Sequence, residues 1–249
     1  MTSPKLSKLG FGAYQIGRVP TKKYASAGAP LPNEEETEQL LNGVLDCGIT
    51  LIDTAPAYGV SEERIGKYIS HRRNEYILSS KVGEQIDGSF DFTSRGMLRS
   101  VEKSLKTLNT DHLDYLLIHA PTDDISVLTD SDAVSFMHNA KQKGLTKHIG
   151  FSGKTIKAQM KTLEWADVLM IDYSLANQSQ EEVILAAHEA GAIVLVKKGL
   201  SSGHLSPQEA IEFLLCESTV SDELSSIVIG SKSLLRMKEN QERFRSLES

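Results

Sequence analysis

Asp46-Cys47-Gly48-Ile49-Thr50-Leu51-Ile52-Asp53-Thr54-Ala55-Pro56-Ala57-Tyr58-Gly59-Val60-Ser61-Glu62 spans one repeat of the pattern that organises the whole chain. Gly48 stands where the helical spacing of residues Glu34–Cys47 stops, as a glycine does at a helix C-terminus. The apolar run Thr50–Asp53 then reads as a short buried strand, and a Pro/Gly loop leads to a second helical stretch starting at Glu62. The strand ends on the carboxylate of Asp53, and the phenol of Tyr58 follows in the loop. Such groups are costly at the end of an apolar strand unless they are used or paired.

The same unit recurs along the chain. Strand-like runs occur at Leu9–Tyr14, Thr50–Asp53, Tyr76–Ser80, Tyr115–His119, His148–Phe151, Val168–Ile171, Ile193–Val196 and Ser226–Ile229. Helical spacing follows each of them, at Glu34–Cys47, Glu62–His71, Thr93–Leu108, Ile125–Lys143, Ile156–Trp165, Gln180–Ala190, Pro207–Cys216 and Leu234–Leu247. Near-continuous apolar strands alternating with helices require a parallel sheet covered by helices, and eight repeats suit closure into a single α/β domain, a (β/α)8 TIM barrel. The alternative is an open doubly wound sheet, but that fold usually has a Gly-rich turn after its first strand, and Leu9-Gly10-Phe11-Gly12-Ala13 does not complete one. Gly144 and Gly191 end helices as Gly48 does, which fixes the polarity and gathers the C-terminal strand ends at one face. The longest connection, Gly17–Asn33, contains Pro20, Gly28, Pro30 and Pro32 and reads as a pocket wall or lid, or else as a disordered insertion.

The 249 residues are 40% hydrophobic and 24% charged, a composition able to bury a sizeable core. A net charge of −6 with only isolated basic pairs argues against a nucleic-acid footprint. No apolar run approaches a membrane span, and the first residues lack the apolar core of a signal peptide. Cys47 and Cys216 lie in apolar helical patterns and read as small hydrophobes rather than as a disulfide. These features lead us to expect a cytoplasmic protein with no membrane or nucleic-acid partner; its oligomeric state is not encoded in any pattern. No HExxH, Cys/His cluster or DxDxDG loop is present, so no bound metal is expected.

Asp53, Lys81 and His119 fall at the ends of the second, third and fourth strands, and Tyr58 lies just after the second. Neighbouring strands run about 4.8 Å apart, so these side chains can share one mouth. Singly, Asp53 reads as a loop cap, Tyr58 as a partly buried aromatic, Lys81 as a surface charge and His119 as a satisfied hydrogen-bonding residue. Together, on consecutive units at one face, they point to a site. A phenol with an ordinary pKa near 10 works in proton transfer when a nearby cation stabilises its anion, which Lys81 can supply, with Asp53 holding the ammonium. His119 can donate to or orient a carbonyl oxygen.

The runs Gly48–Glu62, Ile77-Leu-Ser-Ser-Lys81 and Asp114-Tyr-Leu-Leu-Ile-His119 resemble the Asp/Tyr/Lys/His tetrad of the aldo-keto reductase superfamily, in that family's order. The resemblance extends from Leu9-Gly-Phe-Gly12 to Glu239-Asn240. It implies an NADPH-dependent oxidoreductase acting on a small-molecule carbonyl substrate, an aldehyde or ketone. Tyr58 would be the general acid, Lys81 and Asp53 its tuning pair, and His119 the residue orienting the carbonyl. It also implies cofactor contacts from Gly12, Ala13, Tyr14, Asp53 and Ser152, and from Lys197, Gly199, Leu200 and Ser202 in a loop similar to the family's pyrophosphate loop. Ser231, Arg236, Glu239 and Asn240 would hold the adenosine end and favour NADPH, with NADH also possible.

Four departures from the family pattern stand out: Gly230 in place of a lysine, Gly153 in place of an asparagine, Met170 in place of a glutamine, and Lys197 in place of the aromatic that stacks on nicotinamide. We expect at least one of Lys197 and Lys198 to reach a cofactor phosphate or a substrate carboxylate. The short segment after the last helix predicts an open or small pocket, completed by the Gly17–Asn33 loop. Two other readings compete: a Schiff-base aldolase or phosphate-sugar isomerase using Lys81, and a non-catalytic cofactor-binding regulatory subunit.

Overall fold

The structure is a computed structural model that describes residues 4–19 and 28–247. Eight parallel strands close into a barrel in sequence order, each paired with its neighbours in the chain and the last with the first. They are β1 (Leu9–Gly12), β2 (Leu51–Asp53), β3 (Ile77–Val82), β4 (Leu113–His119), β5 (Thr146–Ser152), β6 (Val168–Asp172), β7 (Ile193–Lys197) and β8 (Ser226–Ile229). The helices are α1 (Tyr14–Gly17), α2 (Glu34–Asp46), α3 (Ser61–Ile69), α4 (Ser94–Leu108), α5 (Asp124–Thr129), α6 (Ala133–Gln142), α7 (Ile156–Thr162), α8 (Glu181–Glu189), α9 (Pro207–Glu212) and α10 (Leu234–Leu247). The expected barrel is therefore observed.

Three elements depart notably from the sequence reading. The first strand stops at Gly12, and Tyr14 opens a short helix rather than ending the strand. The stretch read as one helix, Ile125–Lys143, is two, because the Ser131 hydroxyl donates to Val127 O and accepts from Ala133 N and so competes with helical pairing between them. The last turn of the Pro207–Cys216 stretch widens into a π-helical turn over Phe213–Glu217 and leaves Cys216 exposed instead of packed. Cys47 is half-buried, and both thiols are free. Of the Gly17–Asn33 loop, residues 20–27 lie outside the described residues.

Side chains alternate across each strand, which divides the core in two. Outward residues such as Phe11, Ile52, Leu78, Ile118 and Val196 pack under the helices. Inward residues Leu51, Ile77, Tyr115, Leu117, Val168, Met170 and Leu195 fill the barrel itself. Counting two residues up from the inward set gives Asp53, Ser79, His119, Asp172 and Lys197. The upper end of the barrel is thus polar for the same period-two reason that its middle is apolar. Among the described residues no helix is long and apolar enough to cross a membrane, and no cluster of His, Cys, Asp and Glu is placed to hold a metal ion.

Candidate active site

A cavity of about 450 Å³ opens at the C-terminal ends of the strands, a volume ordinary for a small-molecule site. The strand register brings its residues together: Gly12 pairs with Asp53, Asp53 with Ser79, His119 with Ser152, and Asp172 with Lys197. Of the residues expected from sequence, Gly12, Tyr14, Asp53, Tyr58, His119, Ser152, Lys197, Gly199, Leu200 and Ser202 line the cavity. Ala13 is buried behind it, its N–H donating to Asp53 O at 2.8 Å.

Asp53 and Lys81 are both buried and form an ion pair, with the Lys81 ammonium 2.8 Å from each carboxylate oxygen and 2.8 Å from Thr54 O. Those three acceptors use all three ammonium donors. The Ser79 hydroxyl donates to Asp53 Oδ1 at 2.9 Å and closes the network. Lys81 Nζ lies over the Tyr58 ring, 4.9 Å from its centroid.

Tyr58 ends a single 3₁₀ turn, Pro56–Tyr58, clamped to the start of the chain. Val60 N donates to Gly17 O at 3.1 Å, and Arg18 Nη1 donates to Ala57 O at 3.0 Å. Gly17 and Gly59 sit back to back, so a Cβ on Gly17 would overlap Tyr58 O and one on Gly59 would overlap Gly17 O. Gly59 also has φ of +64°, a conformation that glycine adopts freely. The Tyr58 ring meets those of Tyr14 and His119 edge-on, at centroid distances of 5.2 and 5.9 Å. Burial, followed by the nearby carboxylates of Asp53 and Glu84, pushes the Tyr58 phenol well above its ordinary pKa. The sequence reading expected Lys81 to pull it down; instead the ammonium is spent on Asp53 and Thr54, and desolvation dominates.

His119 is held neutral by burial, which lowers its pKa; Lys81 and Lys197 lower it further, and Glu84 opposes them. The Glu84 carboxylate lies 2.8 Å from His119 Nδ1 but off the direction in which the ring N–H would point, so the attraction is electrostatic rather than that of an aligned hydrogen bond. It favours the proton on Nδ1 and leaves Nε2 as an acceptor while the ring is neutral.

The far wall comes from β5, β6 and β7. Lys197 Nζ donates to Ser152 Oγ at 3.0 Å and to Gly153 O at 2.9 Å, and Lys198 pairs with Asp172. Burial brings the Lys197 amine down to about 7. The loop after β7 holds Lys198, Ser201 and Ser202 at φ values of 58°, 47° and 60°. Left-handed backbone at three non-glycine residues is the kind of strain that collects at ligand-binding loops. Gln180 is buried against the cavity, with Nε2 donating to Lys154 O at 3.2 Å and Oε1 without a partner among the described residues.

Ser231, Arg236, Glu239 and Asn240 stand apart from this cavity, at the β8–α10 corner. Ser231 Oγ accepts from Ser233 N at 3.0 Å, and Arg236 and Glu239 are exposed. Asn240 is buried, its Oδ1 accepting from Arg243 Nη1 at 3.2 Å within the same helix. The sequence reading missed Glu84, Ser79, Asp172 and Gln180. Strand alternation alone would have found Ser79, two residues below Lys81, and Asp172, two above Met170. Glu84 and Gln180 lie in loops that no local pattern aims at the site.

The aldo/keto reductase family model matches residues 8–248. A solved structure of a Pseudomonas aeruginosa protein assigned to the aldo-keto reductases superposes with a TM-score of 0.88 at 33% identity, covering 98% of this chain and 92% of that one. A D-threo-aldose 1-dehydrogenase from a Pseudomonas species is 26% identical over 81% of this chain and 68% of its own length. An L-galactose dehydrogenase from Arabidopsis thaliana is 24% identical over the whole of this chain and 87% of its own length. With the fold, the cavity and the match over nearly its full length in agreement, this chain belongs to the aldo/keto reductase family and is an oxidoreductase.

Proposed function

We propose that the protein reduces a small aldehyde or ketone, reversibly, with NADPH as the hydride source and Tyr58 as the proton donor. The observation that carries this reading is the grouping of Tyr58, the Asp53–Lys81 ion pair and His119 around one cavity. The donor set fits a dinucleotide. The strained Lys198–Gly203 segment offers backbone N–H groups, Gln180 Oε1 is an unused acceptor, and Arg236, exposed near Ser231 and Ser233, can grip a phosphate. A bound nicotinamide would supply the hydride.

The chain's own residues account for the rest. Tyr58 stays protonated across the physiological range because burial and carboxylates raise its pKa, so it holds a proton ready for the alkoxide that forms as the carbonyl accepts hydride. An alkoxide is far more basic than a buried phenol, so the transfer runs downhill. Lys81 and Asp53 keep the floor beneath Tyr58 rigid and polar without spending a donor on the phenol. His119, with Nε2 as acceptor, orients the substrate by taking a hydrogen bond from a hydroxyl beside the carbonyl. That role suits hydroxylated aldehydes, the chemistry named for the aldose and galactose dehydrogenases among the relatives.

Quenching of intrinsic fluorescence, titrated with NADPH and with NADH, followed by a panel of aldehydes, ketones and aldoses, tests the reading. NADPH should bind more tightly than NADH and be oxidised by a hydroxylated aldehyde; no turnover with any member of the panel would favour the regulatory-subunit reading.

A further inference from the structure

Two lysines approach the cavity from inside the barrel, in opposite surroundings. Lys81 is saturated by a carboxylate and a carbonyl, and Lys81-based Schiff-base chemistry would have to break that pairing first. Among the described residues, Lys197 has only the neutral oxygens of Ser152 and Gly153 as hydrogen-bond partners. Its register partner Asp172 is taken by Lys198. Asp172 still pulls the amine toward its charged form, but the cations Lys198, Lys81 and Lys154 push the other way. Burial away from water and neighbouring cations both favour the free amine over the ammonium, and outweigh Asp172. The Lys197 side chain lines the same cavity as Tyr58.

We propose that Lys197 is a carbonyl-capture site, where small aldehydes entering the cavity bind covalently and reversibly as imines. The lone pair of Lys197 Nζ forms the new C–N bond as the carbonyl π pair moves to oxygen. Both amine hydrogens then leave with that oxygen as water, and a C=N bond remains. No oxidant or reductant is required. The burial that holds the amine near 7 makes the nucleophilic form abundant at neutral pH. This capture requires only the amine and the cavity, so it stands or falls separately from the reduction proposed above.

The test is reductive trapping without nicotinamide: full-length protein is treated with glycolaldehyde and sodium cyanoborohydride at pH 7, then mapped by peptide mass spectrometry. Lys197 should gain one hydroxyethyl group roughly tenfold or more faster than exposed Lys106, because burial holds a large fraction of the Lys197 amine unprotonated at pH 7. Its rate should level off above pH 7. In Lys197→Arg the fast modification should vanish and the slow surface reaction remain. Labelling of Lys197 no faster than Lys106, or fast labelling at Lys81 instead, would overturn the proposal.

Discussion

The Glu84 carboxylate lies 2.8 Å from Nδ1 of His119, and its charge also acts on the Tyr58 phenol, so one side chain biases both proton-handling groups of the cavity. It raises the pKa of each. In Glu84→Gln both pKa values fall: the alkaline limb of the kcat/KM profile for reduction, where Tyr58 loses its proton, moves to lower pH, and charging of His119 moves to more acidic pH. A purely structural role for Glu84 would depress the profile evenly, without moving its limbs.

Breaking the buried Asp53–Lys81 pair should destabilise the barrel more than any surface change. Lys81→Met strands the Asp53 carboxylate with only the Ser79 hydroxyl, and urea unfolding should show a loss of about 3–5 kcal/mol. The double variant Asp53→Leu/Lys81→Met should recover much of that loss, since no buried charge is left unpaired. Equal destabilisation of the single and double variants would contradict the pairing.

Much of this was readable in the sequence because it is local. Strand ends carry Asp53, Lys81 and His119, and period-two alternation decides which side chains enter the barrel. Helix-ending glycines fix the polarity that puts those ends at one face. What was not readable is non-local. Nothing near Lys81 in sequence says that Thr54 O takes its third donor, and it is that saturation, with the depth of Tyr58, that reverses the expected pKa of the phenol. The pairing of Lys198 with Asp172, which leaves Lys197 among neutral oxygens, depends on the β6–β7 register. Asn240 fits its family position in sequence, yet its side chain is buried and bonded to Arg243.

Lys197 should weaken the fold in a pH-dependent way. Its folded-state pKa of about 7 lies below the ordinary 10.5, so from about 7 up to 10.5 only the unfolded chain holds the proton, and stability rises with pH across that window. Below about 7 both states carry it and the burial penalty is present in full. Lys197→Met removes the penalty, so at pH 6 it should be more stable than the parent by on the order of 1–3 kcal/mol, a gain cut by the lost bonds to Ser152 and Gly153. The gain should shrink steadily toward pH 10; a difference constant with pH would contradict a depressed amine.

The central claim is that Tyr58 delivers the proton, and Tyr58→Phe tests it most directly because the ring, its edge-on contacts with Tyr14 and His119, and the Asp53–Lys81 pair beneath it can all persist. Turnover of NADPH with a reactive aldehyde should fall by roughly 10²–10⁴-fold, while NADPH affinity measured by fluorescence quenching stays at the parent value. Parent-like turnover in Tyr58→Phe would contradict the account.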